Sequence, residues 1–205
     1  IYDHVEHRFQ KGFSLLTLGW TDGYSFVPVA FNMMSSAKQS NRYQEISADI
    51  DRRTNGYKFR KESMLPKTEA AIMMIKDALN IGIAADYVLM DTWFTNEPFI
   101  KNIMAEGLDV IGMLKNNKQV YHYKGKLYNP DSLAAYFARK DAPGDILGSV
   151  VVRTNREHIP VKIVFVRNRN KRSEYIMILS TNCSLADEEI VRRYGYRWRI
   201  MRISA

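Results

Sequence analysis

The chain has 205 residues, 46% of them apolar and 12% aromatic, which is enough for a packed core and excludes an intrinsically disordered segment. Its 30 Lys and Arg against 22 Asp and Glu leave a net charge of +8, a balance suited to nucleic acid or to an anionic membrane surface. No stretch approaches the roughly 20 apolar residues of a spanning helix, and a lone Cys183 makes neither an internal disulfide nor a zinc cluster, which fits a reducing cytosol.

The opening Ile1 to Gln10 is polar, mixed in charge and without an initiator Met, so a segment of a longer chain with no signal peptide is expected. Two β-rich runs, Gly12 to Trp20 and Tyr24 to Met34, flank Thr21-Asp22-Gly23 and predict a hairpin. Pro28 cannot donate to a ladder and marks the second strand as an edge. Residues 36–63 are polar and basic and read as loop and surface. Pro66 then opens a helix to about Leu79, with Ile72, Ile75 and Leu79 as its inward stripe.

Ala85-Asp-Tyr-Val-Leu-Met-Asp91 has the pattern of a short buried strand, Asn96 to Gly107 carries helix start and stop signals, and Asp109 to Leu114 is a second strand. That order at that spacing predicts a parallel, right-handed βαβ crossover. From Lys115 to about Tyr175 the texture changes to short strands at Gln119–Tyr123, Ile146–Arg153 and Val161–Val166, with a helical turn at Leu133–Ala138. A strand at Tyr175–Ser180 follows, and Ser184 opens a closing helix expected to run through Ile203.

Asp91 ends a strand of the βαβ unit, where open α/β sheets bind ligands, and its carboxylate suits a hard divalent cation. Position alone favours a turn or capping aspartate. Asp22 is explained by turn geometry, and the Asp3, His4, His7 cluster lacks a full ligand set. On the closing helix Tyr194, Arg197 and Met201 share one face, with Trp198 alongside and Arg192, Arg193, Arg199 and Arg202 around it. This is either a solvated basic helix or a surface that meets phosphate and base; Gly195 within it calls for a packing or contact reason. Basic and aromatic residues also interleave from Lys115 to Tyr128, and the stretch from Arg167 to Arg172 is strongly basic; both suit a groove that tracks a phosphate backbone.

Three stretches together resemble the cut-and-paste transposases of bacterial insertion sequences, in the insertion-sequence-four group. They are Leu-Thr-Leu-Gly-Trp-Thr-Asp-Gly within Gly12 to Ser36, Ala85 to Phe94 with the following Val110-Ile-Gly-Met-Leu-Lys115, and Tyr194-Gly-Tyr-Arg-Trp-Arg-Ile200. The resemblance implies an α/β, ribonuclease H-like mixed sheet flanked by helices, with a β-rich insertion before the last helix. It divides the chain into a core at 1–114 lacking its first strand, the insertion at 115–175, and a return to the core at 176–205. It further implies a site of two aspartates and a glutamate that binds two Mg²⁺ or Mn²⁺ ions, with Asp91 as the second aspartate, both catalytic and metal-binding. Tyr194 and Arg197, with Trp198, would hold DNA near the cut. The family's glutamate falls on Met201, and the first aspartate belongs to a strand preceding Gly12, so one carboxylate of three is expected and with it no cleavage by this chain.

The implied chemistry is metal-dependent strand cleavage and strand transfer at transposon ends, by a homodimer acting on terminal repeats and target DNA in the bacterial cytoplasm. A remnant that binds DNA without chemistry is the alternative. A cellular ribonuclease H-like nuclease is disfavoured by the Tyr194 and Arg197 helix.

Overall fold

The computed structural model describes residues 2–3, 7–9, 14–115 and 118–198, and its contacts divide the chain into two compact units, Ile1–Ala84 and Ala85–Ala205. In the first unit a short antiparallel pair, β1 (Tyr2–Asp3) and β2 (Arg8–Phe9), precedes the expected hairpin of β3 (Ser14–Thr21) and β4 (Phe26–Met34). The hairpin turn is built as the sequence implies. Asp22 Oδ1 accepts from the backbone N–H groups of Tyr24 and Ser25 at 2.8 and 2.6 Å, and Thr21 Oγ1 accepts from Gly23 N. Pro28 lies opposite Gly19, where a bulge shifts the register.

The polar stretch after the hairpin is not all loop. After a single 3-10 turn at Gln39–Asn41, α1 spans Asn55–Glu62. Asn55 and Gly56 fall in the stretch expected to be loop, but Thr54 Oγ1 accepts from Tyr57 N and caps a helix whose last turn carries Arg60 and Lys61. The next helix, α2 (Lys67–Asn80), begins as expected after Pro66, yet its buried face is Ala70, Ile75 and Ala78. Ile72 and Leu79 are only half-buried. The small alanines let α2 approach the hairpin closely, which moves the inward stripe off the larger residues.

The second unit carries a seven-stranded mixed sheet flanked by helices, in keeping with the ribonuclease H-like class. Its strands are β5 (Tyr87–Met90), β6 (Asp109–Leu114), β7 (Tyr121–Tyr123), β8 (Lys126–Tyr128), β9 (Ile146–Thr154), β10 (Pro160–Arg167) and β11 (Tyr175–Ser180). They lie in the order β5-β6-β11-β10-β9-β7-β8. The pair β5 and β6 is parallel, as the crossover requires, and joined by α3 (Glu97–Ala105); every other pairing is antiparallel. The segment 115–175 reads in sequence as an insertion, and its strands hydrogen-bond into this same sheet, with β11 linking β10 to β6.

The helical turn expected near Leu133 is a full helix, α4 (Pro130–Phe137), because Asn129 Oδ1 caps it on Ser132 N. The closing helix α5 spans Asp187–Gly195 and continues as a 3-10 turn to Trp198. It starts later than Ser184, whose N–H and hydroxyl both donate to Asn182 Oδ1 and build a turn instead. The C-terminal part of the expected helix, including Met201, Arg199 and Arg202, lies outside the described residues.

Helices on both faces explain why the inner strands are almost continuously apolar. On β10, Val161, Ile163, Val164 and Phe165 are each 0% exposed. Val164 and Val166 join Ile111 and Ile178 beneath Ile190 and Tyr194 of α5. Among the described residues no helix is long and apolar enough to cross a membrane.

Candidate active site at the carboxyl end of the parallel pair

Asp91 follows Met90, the last residue of β5, whose register partner on β6 is Gly112. β11 runs antiparallel to β6, with Met177 opposite Leu114, and α5 packs on β6, β9, β10 and β11. Of the other sequence-derived candidates, Tyr194 is the one on which the charge of Asp91 acts. Burial chiefly pushes the Tyr194 hydroxyl above the ordinary phenol range, the Arg197 charge and hydrogen bond oppose this, and the negative charge of Asp91 adds to it. Asp91 and Tyr194 are thus near enough to sense one another.

The loop after Asp91 is a tight knot of hydrogen bonds. Asp91 Oδ1 accepts from Trp93 N at 3.0 Å and Phe94 N at 3.4 Å. The Asp91 carbonyl accepts from Thr95 Oγ1 at 2.7 Å and from Thr95 N at 3.2 Å. Position alone allowed a turn aspartate, and Asp91 is one; the same bonds fix its carboxylate and leave Oδ2 without a hydrogen bond among the described residues. Thr95 is 2% exposed and sits on β6. A Cβ at Gly112 would run into Thr95 Oγ1 and lie 2.9 Å from Met90 Cγ. Gly112 is therefore the residue that lets the loop seat on the sheet.

The helix side of the site is held by contacts within α5. Tyr194 is 3% exposed and its hydroxyl accepts from Arg197 Nε at 3.1 Å. The Arg197 guanidinium lies 5.4 Å from the Tyr194 ring centre and 4.7 Å from that of Trp198, which is 50% exposed. Tyr194 so acts through Arg197, while Arg197 and Trp198 form the outer surface. One turn earlier, side-chain hydrogen bonds from Arg192 and Arg193 hold Glu189 well below the ordinary carboxylate range, at about 2, with both of its oxygens engaged. Arg193 also lies over the Tyr87 ring at 4.4 Å. Gly195 has open space where a Cβ would stand, so neither packing nor close approach requires a glycine there.

A two-ion centre needs carboxylates shared between its metals. Among the described residues no group of three His, Cys, Asp or Glu could hold a metal ion, and Asp91 brings a single carboxylate to this end of the parallel pair. That donor set does not fit two ions. The cluster of Asp3 and His4 also lies outside what the structure describes at side-chain level.

Sequence reasoning passed over the residues behind the loop. Gln119 Nε2 donates to the Thr95 carbonyl at 3.0 Å, and Gln119 Oε1 accepts from Tyr121 OH at 2.9 Å. Glu97, in the first turn of α3, accepts from Arg156 N at 2.9 Å and Glu157 N at 2.6 Å. Burial pushes the Glu97 carboxyl up, but the hydrogen bonds from Thr154, Glu157 and Arg156 outweigh it and hold it below the ordinary range. A cavity of about 600 Å³ lies here, lined by Asn96, Glu97, Gln119, Tyr121, Thr154 and Arg156 among others. Only the helix start at Asn96, with Glu97 in the first turn, was visible in the sequence, and it pointed to a local cap rather than to a partner 59 residues away.

The mixed sheet flanked by helices, with its one parallel pair ending at Asp91, is consistent with a ribonuclease H-like fold. The family model described as DDE superfamily endonuclease matches residues 1–144, and the chain belongs to that family. The match includes Asp91 and ends before α5. No curated protein matches the chain. Family membership implies nuclease or transposase chemistry on DNA, with divalent metals in general use.

Proposed function

We propose that this is the catalytic-core domain of a cut-and-paste DNA transposase of the insertion-sequence-four group. What supports the reading is a carboxylate, Asp91, at the end of the parallel pair, near enough for its charge to act on the Tyr194 hydroxyl, in a chain of this family. Asp91 would be a metal-binding carboxylate of a Mg²⁺ or Mn²⁺ site. Arg197 would pair with a DNA phosphate, positioned by the Tyr194 hydroxyl, and Trp198 would lie against sugar or base. Such contacts place the backbone without reading sequence. The 115–175 segment is an insertion by this reading, and the assembled transposition complex a homodimer in the bacterial cytoplasm. Because Met201 stands where the resemblance calls for the glutamate, this chain is expected to bind DNA without cutting it, which is also what a catalytically silent remnant would do.

Fluorescence anisotropy with a labelled duplex tests the binding. Affinity should fall with salt, each phosphate contact adding about −0.9 to the log–log slope. Arg197→Ala should weaken binding and flatten that slope by about one contact's worth. No affinity at low salt, or affinity indifferent to salt, would sink the reading. Incubation with transposon-end DNA and Mn²⁺ should give no nicking. Nicking that disappears in Asp91→Ala would show that the carboxylate count is wrong.

A further inference from the structure

We propose that Gln119 and Glu97 are positioning residues that hold the Asp91 loop from the side of the β-rich segment; this rests on the reading of Asp91 as a site carboxylate. The loop from Asp91 to Asn96 has two anchors of its own, the Asx-type bonds of Asp91 Oδ1 and the seating of Thr95 on Gly112. Neither fixes the carbonyl of Thr95. Gln119 does, and it is itself oriented from behind by the buried Tyr121, which is 3% exposed at the start of β7.

Glu97 supplies a second, independent tie. Its carboxylate fills the concave side of the turn between β9 and β10, a turn closed by Thr154 N on the Ile159 carbonyl and Ile159 N on Thr154 Oγ1. Four residues on, the same helix makes the Lys101–Glu157 ion pair at 2.9 Å. The N-terminus of α3 is thereby pinned to the hairpin, and the loop is stretched between β5 and a fixed helix start. A metal-binding carboxylate works only if its oxygen stays where the ion needs it, and outer partners commonly set that geometry. The β-rich segment is on this view a brace for the catalytic loop, in addition to any contact it makes with DNA.

Amide hydrogen exchange on the full 205-residue chain tests this, read at Trp93, Phe94 and Thr95 by NMR. In Gln119→Ala and in Gln119→Glu, which keeps the size but loses the donor, these amides should exchange about tenfold faster while β10 and β11 stay protected. Tyr121→Phe should give a smaller change of the same kind, and Glu97→Gln, which keeps an acceptor oxygen, should recover part of what Glu97→Ala loses. Unchanged exchange at the three amides would overturn the proposal, as would a loss of protection spread evenly over the sheet. Mn²⁺ added to the unsubstituted chain separates this from the reading beneath it. Selective broadening of the Trp93 and Phe94 amides, lost in Asp91→Ala, supports the carboxylate role. Without that broadening the metal role of Asp91 falls, and the exchange data still decide the brace.

Discussion

The two halves of the candidate site are held in place by opposite means. The Tyr194, Arg197 and Trp198 turn is organised by neighbours three and four residues away on its own helix: Arg192 and Arg193 on Glu189, and Arg197 on Tyr194. Its long-range support is apolar, through Ile190 and Tyr194 in the core, with Lys162 bridging Asp187 and the Leu185 carbonyl at the helix start. The Asp91 loop packs Phe94 on Phe99 but is tied mainly by hydrogen bonds, and two of those ties come from 24 and 59 residues away. A helix face carries its own order wherever it docks, whereas a loop acquires order only when other elements satisfy its backbone.

The comparison breaks most visibly where α5 meets the sheet. Ile190 is 0% exposed, and Ile190→Ala should cost about 2–5 kcal/mol in a urea titration, loosening Tyr194 and Arg197 together. Tyr194→Phe keeps the packing and should cost far less, so equal losses would show that the hydroxyl, not the ring, holds the turn. On the loop side, Gly112→Ala forces Thr95 off β6 and should cost about 1–3 kcal/mol, with the change in hydrogen exchange concentrated at residues 91–96. A neutral Gly112→Ala would mean that the loop is not seated on the strand as described.

Smaller effects sharpen the contrast. Asn96→Ala removes the cap on Phe99 N and should destabilise α3 by about 1 kcal/mol, measured by thermal unfolding. Glu97 adds a pH dependence. Its folded-state pKa is depressed, so its contribution is present above the unfolded value of about 4.3 and is lost as pH falls through the lower folded value. The stability gap between the natural chain and Glu97→Gln should therefore shrink on acidification below about pH 4. A gap that widens there would reverse the assignment. Gly195→Ala should act in the other direction, stabilising the end of α5 by about 0.5–1 kcal/mol, because open space surrounds the site.

The sequence by itself determined the local pieces. Asp22-Gly23 makes its hairpin, Asn96 starts its helix, the apolar run Asp109 to Leu114 is a strand with the expected ends, and Tyr194 and Arg197 meet because helical spacing puts them on one face. These depend on periods and caps that act within a few residues. Tertiary structure decided what those rules do not reach. It buried Ala70 and Ala78 in place of Ile72 and Leu79, since close approach of a helix favours small residues at the contact. It carried the strands of 115–175 into the main sheet, because β11 returns to pair with β6 and leaves β10 and β9 to continue the ladder. And it brought Gln119 and Glu97 to the back of the Asp91 loop, where a buried carbonyl and a hairpin turn each required a polar partner that no local pattern could name.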